Sequence, residues 1–190
     1  CRFSLIDAEI ARFRALGKDA GNILGSLFET LNRGETELEI ARKAKYALAV
    51  YDIESVVTLV AADERIKNFR HPIPTANAWK QTLLIAVCAK REGLIASLSR
   101  IACIGKVPNE LRRKTEAVAH IYARFLSAAK PSASGAQIYE KAAAAYAENN
   151  FGDEIGKHHQ GGATGYKTRD WVAHPFSAEI VQNNQAFAWN

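Results

Sequence analysis

Gln81-Thr82-Leu83-Leu84-Ile85-Ala86-Val87-Cys88-Ala89 and Leu94-Ile95-Ala96-Ser97-Leu98-Ser99-Arg100-Ile101-Ala102-Cys103-Ile104 are two apolar runs joined by a turn at Arg91-Glu92-Gly93. A glycine closes the turn and the flanking runs are short, so the pair reads as a β-hairpin. The hairpin makes the sheet antiparallel, and what surrounds it decides the fold class.

Upstream the period is helical. From Asp7 to Leu31, Ile10, Phe13, Leu16, Ala20, Ile23, Leu24, Leu27, Phe28 and Leu31 recur at helical intervals, and Asn32-Arg33-Gly34 stops the run. Thr36 followed by Glu39 has the form of a capping box, and Ile40, Ala44, Ala47 and Leu48 carry a second helix to about Val50. Ser55-Val56-Val57-Thr58-Leu59-Val60-Ala61-Ala62 is apolar and rich in β-branched residues, which predicts a strand covered on both faces. Asp63 to Trp79 reads as a loop centred on Arg70-His71-Pro72-Ile73-Pro74-Thr75.

Downstream, Pro108 stands where a first helical turn starts, and Leu111, Val118, Ile121, Tyr122, Phe125 and Leu126 mark a helix ending near Lys130-Pro131. Ser134 with Gln137 caps the next, alanine-rich helix, Ile138 to Glu148. After Asn149-Asn150-Phe151-Gly152 the chain turns glycine-rich and β-like, through Asp170-Trp171-Val172-Ala173 to Gln185-Ala186-Phe187-Ala188-Trp189-Asn190. Two helices, a strand, a hairpin, two helices and further strands predict an α+β fold, with helices on one side of curved antiparallel sheets.

The 190 residues, 48% of them hydrophobic, suffice for one domain with one sizeable core. The sequence contains no methionine, and it stops inside an apparent strand, so residues 1–190 are expected to be a single domain incomplete at the C-terminus. The net charge of +5 is dispersed among alternating acids and bases, as on solvated helix faces, and no basic block with interleaved aromatics points to nucleic acid. No run is apolar for long enough to span a membrane, and no signal peptide is recognisable. Cys1, Cys88 and Cys103 lack CxxC spacing; the last two sit in apolar runs and read as buried thiols of a reducing, cytoplasmic compartment.

Chemistry concentrates in Gly156-Lys157-His158-His159-Gln160-Gly161-Gly162-Ala163-Thr164-Gly165-Tyr166. Glycines around two imidazoles let small groups approach rings and backbone closely. Consecutive side chains of a strand point to opposite faces, so one histidine is expected to be functional and its neighbour structural. His71, on a loop leading into a buried strand, is the second candidate. His120 on a helix, His174 before Pro175, and Asp153 and Glu154 in a turn are expected to be structural or solvated, and Arg100 to pair with an acid under the sheet. Trp171 and Trp189 are expected to pack in the core.

These elements resemble the methionine aminopeptidase, prolidase and creatinase family, the pita-bread fold, over nearly the whole chain. Leu31-Asn32-Arg33-Gly34-Glu35-Thr36-Glu37-Leu38-Glu39 is similar to its early helix start, and His71-Pro72-Ile73-Pro74-Thr75 to its loop with a substrate-side histidine. Leu83 to Arg100 resembles its metal-bearing hairpin, Lys130-Pro131-Ser132-Ala133-Ser134 its turn between the later helices, and His159-Gln160-Gly161-Gly162 its histidine motif. The resemblance implies divalent manganese or cobalt held by carboxylates and one imidazole, with a bridging hydroxide as nucleophile.

The pattern departs from that chemistry at the ligands. Counting back from Ser99-Arg100 places Ala86 and Ser97 where the hairpin aspartates belong, Tyr166 replaces a second histidine, and Asn190 stands where a glutamate belongs. Metal ligands are therefore expected to be absent, with manganese or cobalt returning only under a different alignment of the ligands. Three readings follow: a creatinase-like hydrolase of C–N bonds without metal, a metal-dependent Xaa-Pro dipeptidase, and an inactive module binding a peptide or small molecule. The expected cleft is formed by His71 and His159 as catalytic groups and by Ser97, Tyr166 and Asn190 toward substrate. A homodimer is implied by the resemblance alone.

Overall fold

The computed structural model describes residues 4–190, and Cys1 lies outside them. These residues form two compact units, Ala11–Val107 and Pro108–Asn190 with residues 4–10. Each repeats the helix, helix, sheet order read from the sequence.

In the first unit, α1 (Asp7–Thr30, which begins in the other unit) buries Leu16, Ala20, Leu24 and Leu27. α2 (Glu37–Ala49) starts at the expected capping box. The Thr36 hydroxyl accepts from Glu39 N at 3.2 Å, and the Glu39 carboxylate accepts from Thr36 N at 2.7 Å. The sheet runs β1 (Glu54–Ala62), β2 (Thr82–Arg91), β3 (Leu94–Cys103), all antiparallel, with α2 packed on β1. The hairpin turn is as short as the sequence predicts, because Glu92 and Gly93 both take positive φ (51° and 82°), as a two-residue turn between twisted strands requires. Leu83, Ile85, Val87 and Ala89 of β2 are buried, while Leu84, Ala86, Cys88 and Lys90 face the more open side. Each large aliphatic so covered contributes about 1.5–3 kcal/mol.

Four expectations need correction here. β1 lies at the sheet edge, its register shifts between Ser55 and Val57, and only Val60, Ala61 and Ala62 are buried, so it is not covered on both faces. The segment from Asp63 to Trp79 is not all loop, since a short helix α3 (Glu64–Asn68) opens it. Cys88 and Cys103 are free and half-buried rather than buried, Cys88 because strand alternation turns it to the open face. Arg100 is exposed and donates to the Ser99 carbonyl at 2.9 Å; no pairing with an acid is found for it among the described residues.

In the second unit, α4 (Asn109–Ala128) and α5 (Gly135–Glu148) pack on each other, α5 starting at the expected Ser134 and Gln137 capping box. β4 (Gly161–Thr164) is the central strand between β5 (Trp171–Val172) and β6 (Ala186–Trp189). Ile121, Phe125, Ile138, Ala142, Ala163, Trp171 and Val181 form the core. Trp189 stacks on Phe125 at 4.7 Å and on Phe187 at 5.2 Å, and Phe187 meets Trp171 edge-on at 5.7 Å. Both tryptophans are thus packing residues, as expected.

The glycines of β4 are there for close approach. Gly161 has φ of 90°, and a Cβ added to it would collide with the Ala188 carbonyl; one added to Gly162 would collide with the Trp171 carbonyl. Among the described residues no helix is long and apolar enough to cross a membrane.

Candidate functional site

His71 and Ser97 belong to the first unit, and His159, Tyr166 and Asn190 to the second. His71 is exposed, on a segment that the surrounding chain pins at four points. The Pro72 carbonyl accepts from Val60 N at 3.2 Å, and the Ile73 carbonyl accepts from Arg65 Nη2 at 2.9 Å. Thr75 donates its N–H (2.9 Å) and hydroxyl (2.8 Å) to the Glu37 carboxylate. At the neck of the segment, the Asp63 carboxylate accepts from the backbone of Lys80, Gln81 and Thr82 at 2.9, 2.9 and 3.0 Å, contacts that offset the positive φ of 53° at Asp63.

Glu37 is the hub of this arrangement and was not marked as functional by the sequence. Its carboxylate is fully buried and also accepts from Ala62 N at 2.9 Å and from Arg65 Nε at 3.0 and 3.1 Å. A buried carboxylate persists only when charge and donors surround it, and here one guanidinium and several N–H and O–H groups do so. An acid in the first turn of a helix is ordinary, and the capping-box spacing draws attention to Glu39 rather than to Glu37.

On the hairpin, Cys88 lies opposite Ser97 and Ala86 opposite Ser99. Strand alternation therefore puts Ala86, Cys88, Ser97 and Ser99 on one face, and the Cys88 thiol and Ser97 hydroxyl lie 3.4 Å apart. Ala86 and Ser97 are diagonal neighbours on that face, as a pair of ligands would be. What they offer is a methyl group and a neutral hydroxyl.

In the second unit, His158 and His159 do not occupy a strand, because β4 begins only at Gly161. The expectation that they face opposite ways is overturned: their rings lie side by side, centroids 4.3 Å apart and tilted by 30°. His158 is half-buried and its Nδ1 is 2.6 Å from the His159 carbonyl. His159 is exposed, with Nδ1 at 3.3 Å from Gly161 N and at 3.3 Å from Asn190 Nδ2. The structure thus brings His159 and Asn190 into contact, and Arg169 joins them by donating to Asn190 Oδ1 at 3.0 Å. Gln160, buried, donates to the carbonyls of Ile155 (2.9 Å) and His158 (2.8 Å). Arg169 and Gln160 were missed because a basic residue in a loop and a glutamine beside glycines carry no signal of their own.

Tyr166 is exposed as a residue, but its hydroxyl donates to Glu9 Oε1 at 2.7 Å. Glu9 is buried and accepts from Ile6 N at 2.8 Å through its other oxygen. With its proton committed to a carboxylate, Tyr166 retains an oxygen that can accept. Glu9, so distant in sequence, could not have been found from spacing. Glu154 ion-pairs with Lys157 at 2.8 Å, and His120 Nδ1 lies 3.3 Å from Asn149 Oδ1 on an exposed face, as surface residues do.

The hairpin face does not fit a pair of hard divalent cations. Such ions take anionic oxygen ligands, and positions 86 and 97 provide none; a neutral hydroxyl and a thiol leave the cationic charge uncompensated.

A model of metallopeptidase family M24 matches residues 11–189. No curated protein sequence matches the chain. Among solved structures, an X-Pro aminopeptidase from Thermotoga maritima superimposes with a TM-score of 0.87 at 19% identity, covering 98% of this chain and 54% of its own. A prolidase from Pyrococcus furiosus gives 0.86 at 18% identity, covering 98% and 56%. A methionine aminopeptidase from Rickettsia prowazekii gives 0.73 at 13% identity, covering 97% and 79%. The chain therefore spans about half the length of the aminopeptidase and the prolidase. With nearly every residue inside the family match, and with the fold of these structures, the chain belongs to metallopeptidase family M24 and has its pita-bread fold.

Proposed function

We propose that this chain is the catalytic-type domain of a hydrolase of C–N bonds, acting on Xaa-Pro peptides or small amide or guanidino compounds without a two-metal centre. The reading is supported by family membership together with one observation: the hairpin face that the resemblance assigns to metal carries Ala86 and Ser97 in place of carboxylates. Imidazole then has to do the proton work. It takes a proton from water as the water oxygen adds to the carbonyl or guanidino carbon, and returns it to the nitrogen as the C–N bond breaks. His71, held on its pinned segment, and the His158-His159 stretch are the groups available for this.

The test is turnover of Xaa-Pro dipeptides and of small amides and guanidino compounds by the full-length protein in the presence of a chelator. Cleavage that survives chelation and is lost in His71→Ala supports the proposal. Cleavage abolished by the chelator and restored by manganese or cobalt refutes it. A second reading, a binding module, is favoured by Asn190, an amide where the resemblance places a glutamate. Saturable binding of an Xaa-Pro peptide with no turnover of any substrate would select it.

A further inference from the structure

Each unit ties a returning stretch of chain to the start of its second helix with the same frame of backbone hydrogen bonds. In the first unit Gly34 N donates to the Trp79 carbonyl (2.8 Å), Trp79 N to that of Glu35 (2.9 Å), Glu37 N to that of Asn77 (3.0 Å) and Leu38 N to that of Thr75 (3.1 Å). In the second, Ser132 N donates to the Val181 carbonyl (3.1 Å), Val181 N to that of Ala133 (2.9 Å), Gly135 N to that of Glu179 (2.8 Å) and Ala136 N to that of Ser177 (3.0 Å). The frames match, so Glu37 and Gly135 hold equivalent places, and a buried carboxylate is not needed to build the frame.

The units differ in how they hold the chain that leads into the frame. In the second unit it pairs back on β4 as β5, and Asp170 N and Ala173 N donate to the Ala163 and Gly161 carbonyls at 2.8 and 2.9 Å. A Cβ on Gly135 would collide with the Ser177 side chain, so this arrangement leaves no room for an acid there. In the first unit the stretch from Asp63 to Thr75, which carries His71, contains α3 and, among the described residues, no strand. The Glu37 carboxylate gathers it instead. Oε1 accepts from Ala62 N at the end of β1 (2.9 Å) and from Arg65 Nε in α3 (3.0 Å); Oε2 accepts from Arg65 Nε (3.1 Å) and from the N–H and hydroxyl of Thr75 (2.9 and 2.8 Å). Bonds to an ionised, buried acceptor are the strong ones, and one side chain thereby joins both ends of the stretch and its helix.

We infer that Glu37 is the positioning residue of His71: it does for the first unit's stretch what the pairing of β5 does for the second's. The inference rests on the hydrolase reading above and adds to it the residue through which His71 is held for proton transfer. Glu37 acts on the backbone that carries the ring and touches no reacting atom. Misplacing a catalytic group by about 1 Å costs about a hundredfold in rate, so loosening this stretch reaches the chemistry without unfolding the domain.

The experiment compares the full-length protein with Glu37→Gln, which keeps the side chain's shape and removes its charge, by nitrogen-15 relaxation and relaxation dispersion of assigned backbone amides. The expected result is that His71 and Ile73 loosen, by an order parameter falling from about 0.85 to below about 0.6 or by new millisecond exchange, while Glu39 and Trp79 in the frame do not change. These signals come from folded molecules alone, so a mere loss of stability does not move them. Where Glu37→Gln does not fold, Thr75→Val removes one donor and should loosen the same amides, whereas Thr75→Ser keeps the hydroxyl and should match the parent. Amides of His71 and Ile73 as rigid as in the parent overturn the inference. In the same samples, turnover of an Xaa-Pro dipeptide or a small amide should fall about ten- to hundredfold in kcat. A loosened segment with kcat unchanged also overturns it, because His71 is then not held for the reaction. A parent protein that cleaves nothing defeats the hydrolase reading, and the relaxation data still decide whether Glu37 holds the segment.

Discussion

The backbone N–H and the hydroxyl of Thr75 both donate to one oxygen of Glu37, 38 residues earlier in the chain, and so anchor the segment that carries His71 to the start of α2. Glu37→Ala leaves the Arg65 guanidinium and these donors without their common acceptor. It should cost about 3–5 kcal/mol, the range for breaking a buried ion pair from one side. Urea unfolding measures the loss, and hydrogen exchange should show the Ala62 and Thr75 amides losing protection. A loss of under about 1 kcal/mol with protection intact would mean that Glu37 anchors nothing.

Gly162 sits in the central strand with no room for a Cβ against the Trp171 carbonyl, whereas a Cβ on Gly156 meets nothing within 4 Å. Gly162→Ala should destabilise by about 2 kcal/mol or more, as overpacking against backbone does. Gly156→Ala should stay within about 0.5 kcal/mol of the parent. Equal melting curves for the two variants would contradict the close strand packing.

Burial pushes the Asp170 carboxyl above its ordinary range, and Lys167 offsets this only in part. A raised value means that the folded state holds the proton more tightly than the unfolded chain. The group's contribution therefore favours folding at acid pH and is lost as pH rises from the ordinary carboxylate value through the raised one. Asp170→Asn should be more stable than the parent at neutral pH and match it below the ordinary carboxylate range. Thermal melts across pH 3–8 test this, and an advantage that grows toward acid would reverse the sign.

Tyr166→Phe removes the hydroxyl that reaches Glu9 and leaves a buried carboxylate with one fewer donor. The expected loss is about 1.5–3 kcal/mol, as for a hydrogen bond to a charged group. Recovery in the Glu9→Gln, Tyr166→Phe double variant, relative to additivity, measures the coupling directly.

Local signals carried most of the fold. Both capping boxes, the Glu92-Gly93 turn and the helical periods of α1, α2, α4 and α5 are written within a few residues of each other, and each element formed where its own residues specify. Coverage was less legible: an apolar run does not say whether its neighbours cover it, and β1 at the sheet edge is half open. The candidate site was legible by residue type and opaque by partner. His159 could be singled out from its glycines, but its contacts with Asn190 and, through it, Arg169 come from strand pairing and loop return, over 31 and 21 residues. The strand argument for His158 and His159 failed because β4 begins two residues after His159, so alternation never applied to them.

Ala86 and Ser97 stand in this M24 domain where the resemblance places carboxylates, and on that ground we propose that it works without a two-metal centre. The most direct measurement is elemental analysis of the full-length protein after equilibration with manganese and with cobalt, coupled to Xaa-Pro dipeptide cleavage before and after the metal is added. The expected result is no stoichiometric pair of ions and no cleavage that depends on adding them. A tightly held pair of ions per chain, with cleavage that appears only in their presence, would contradict it.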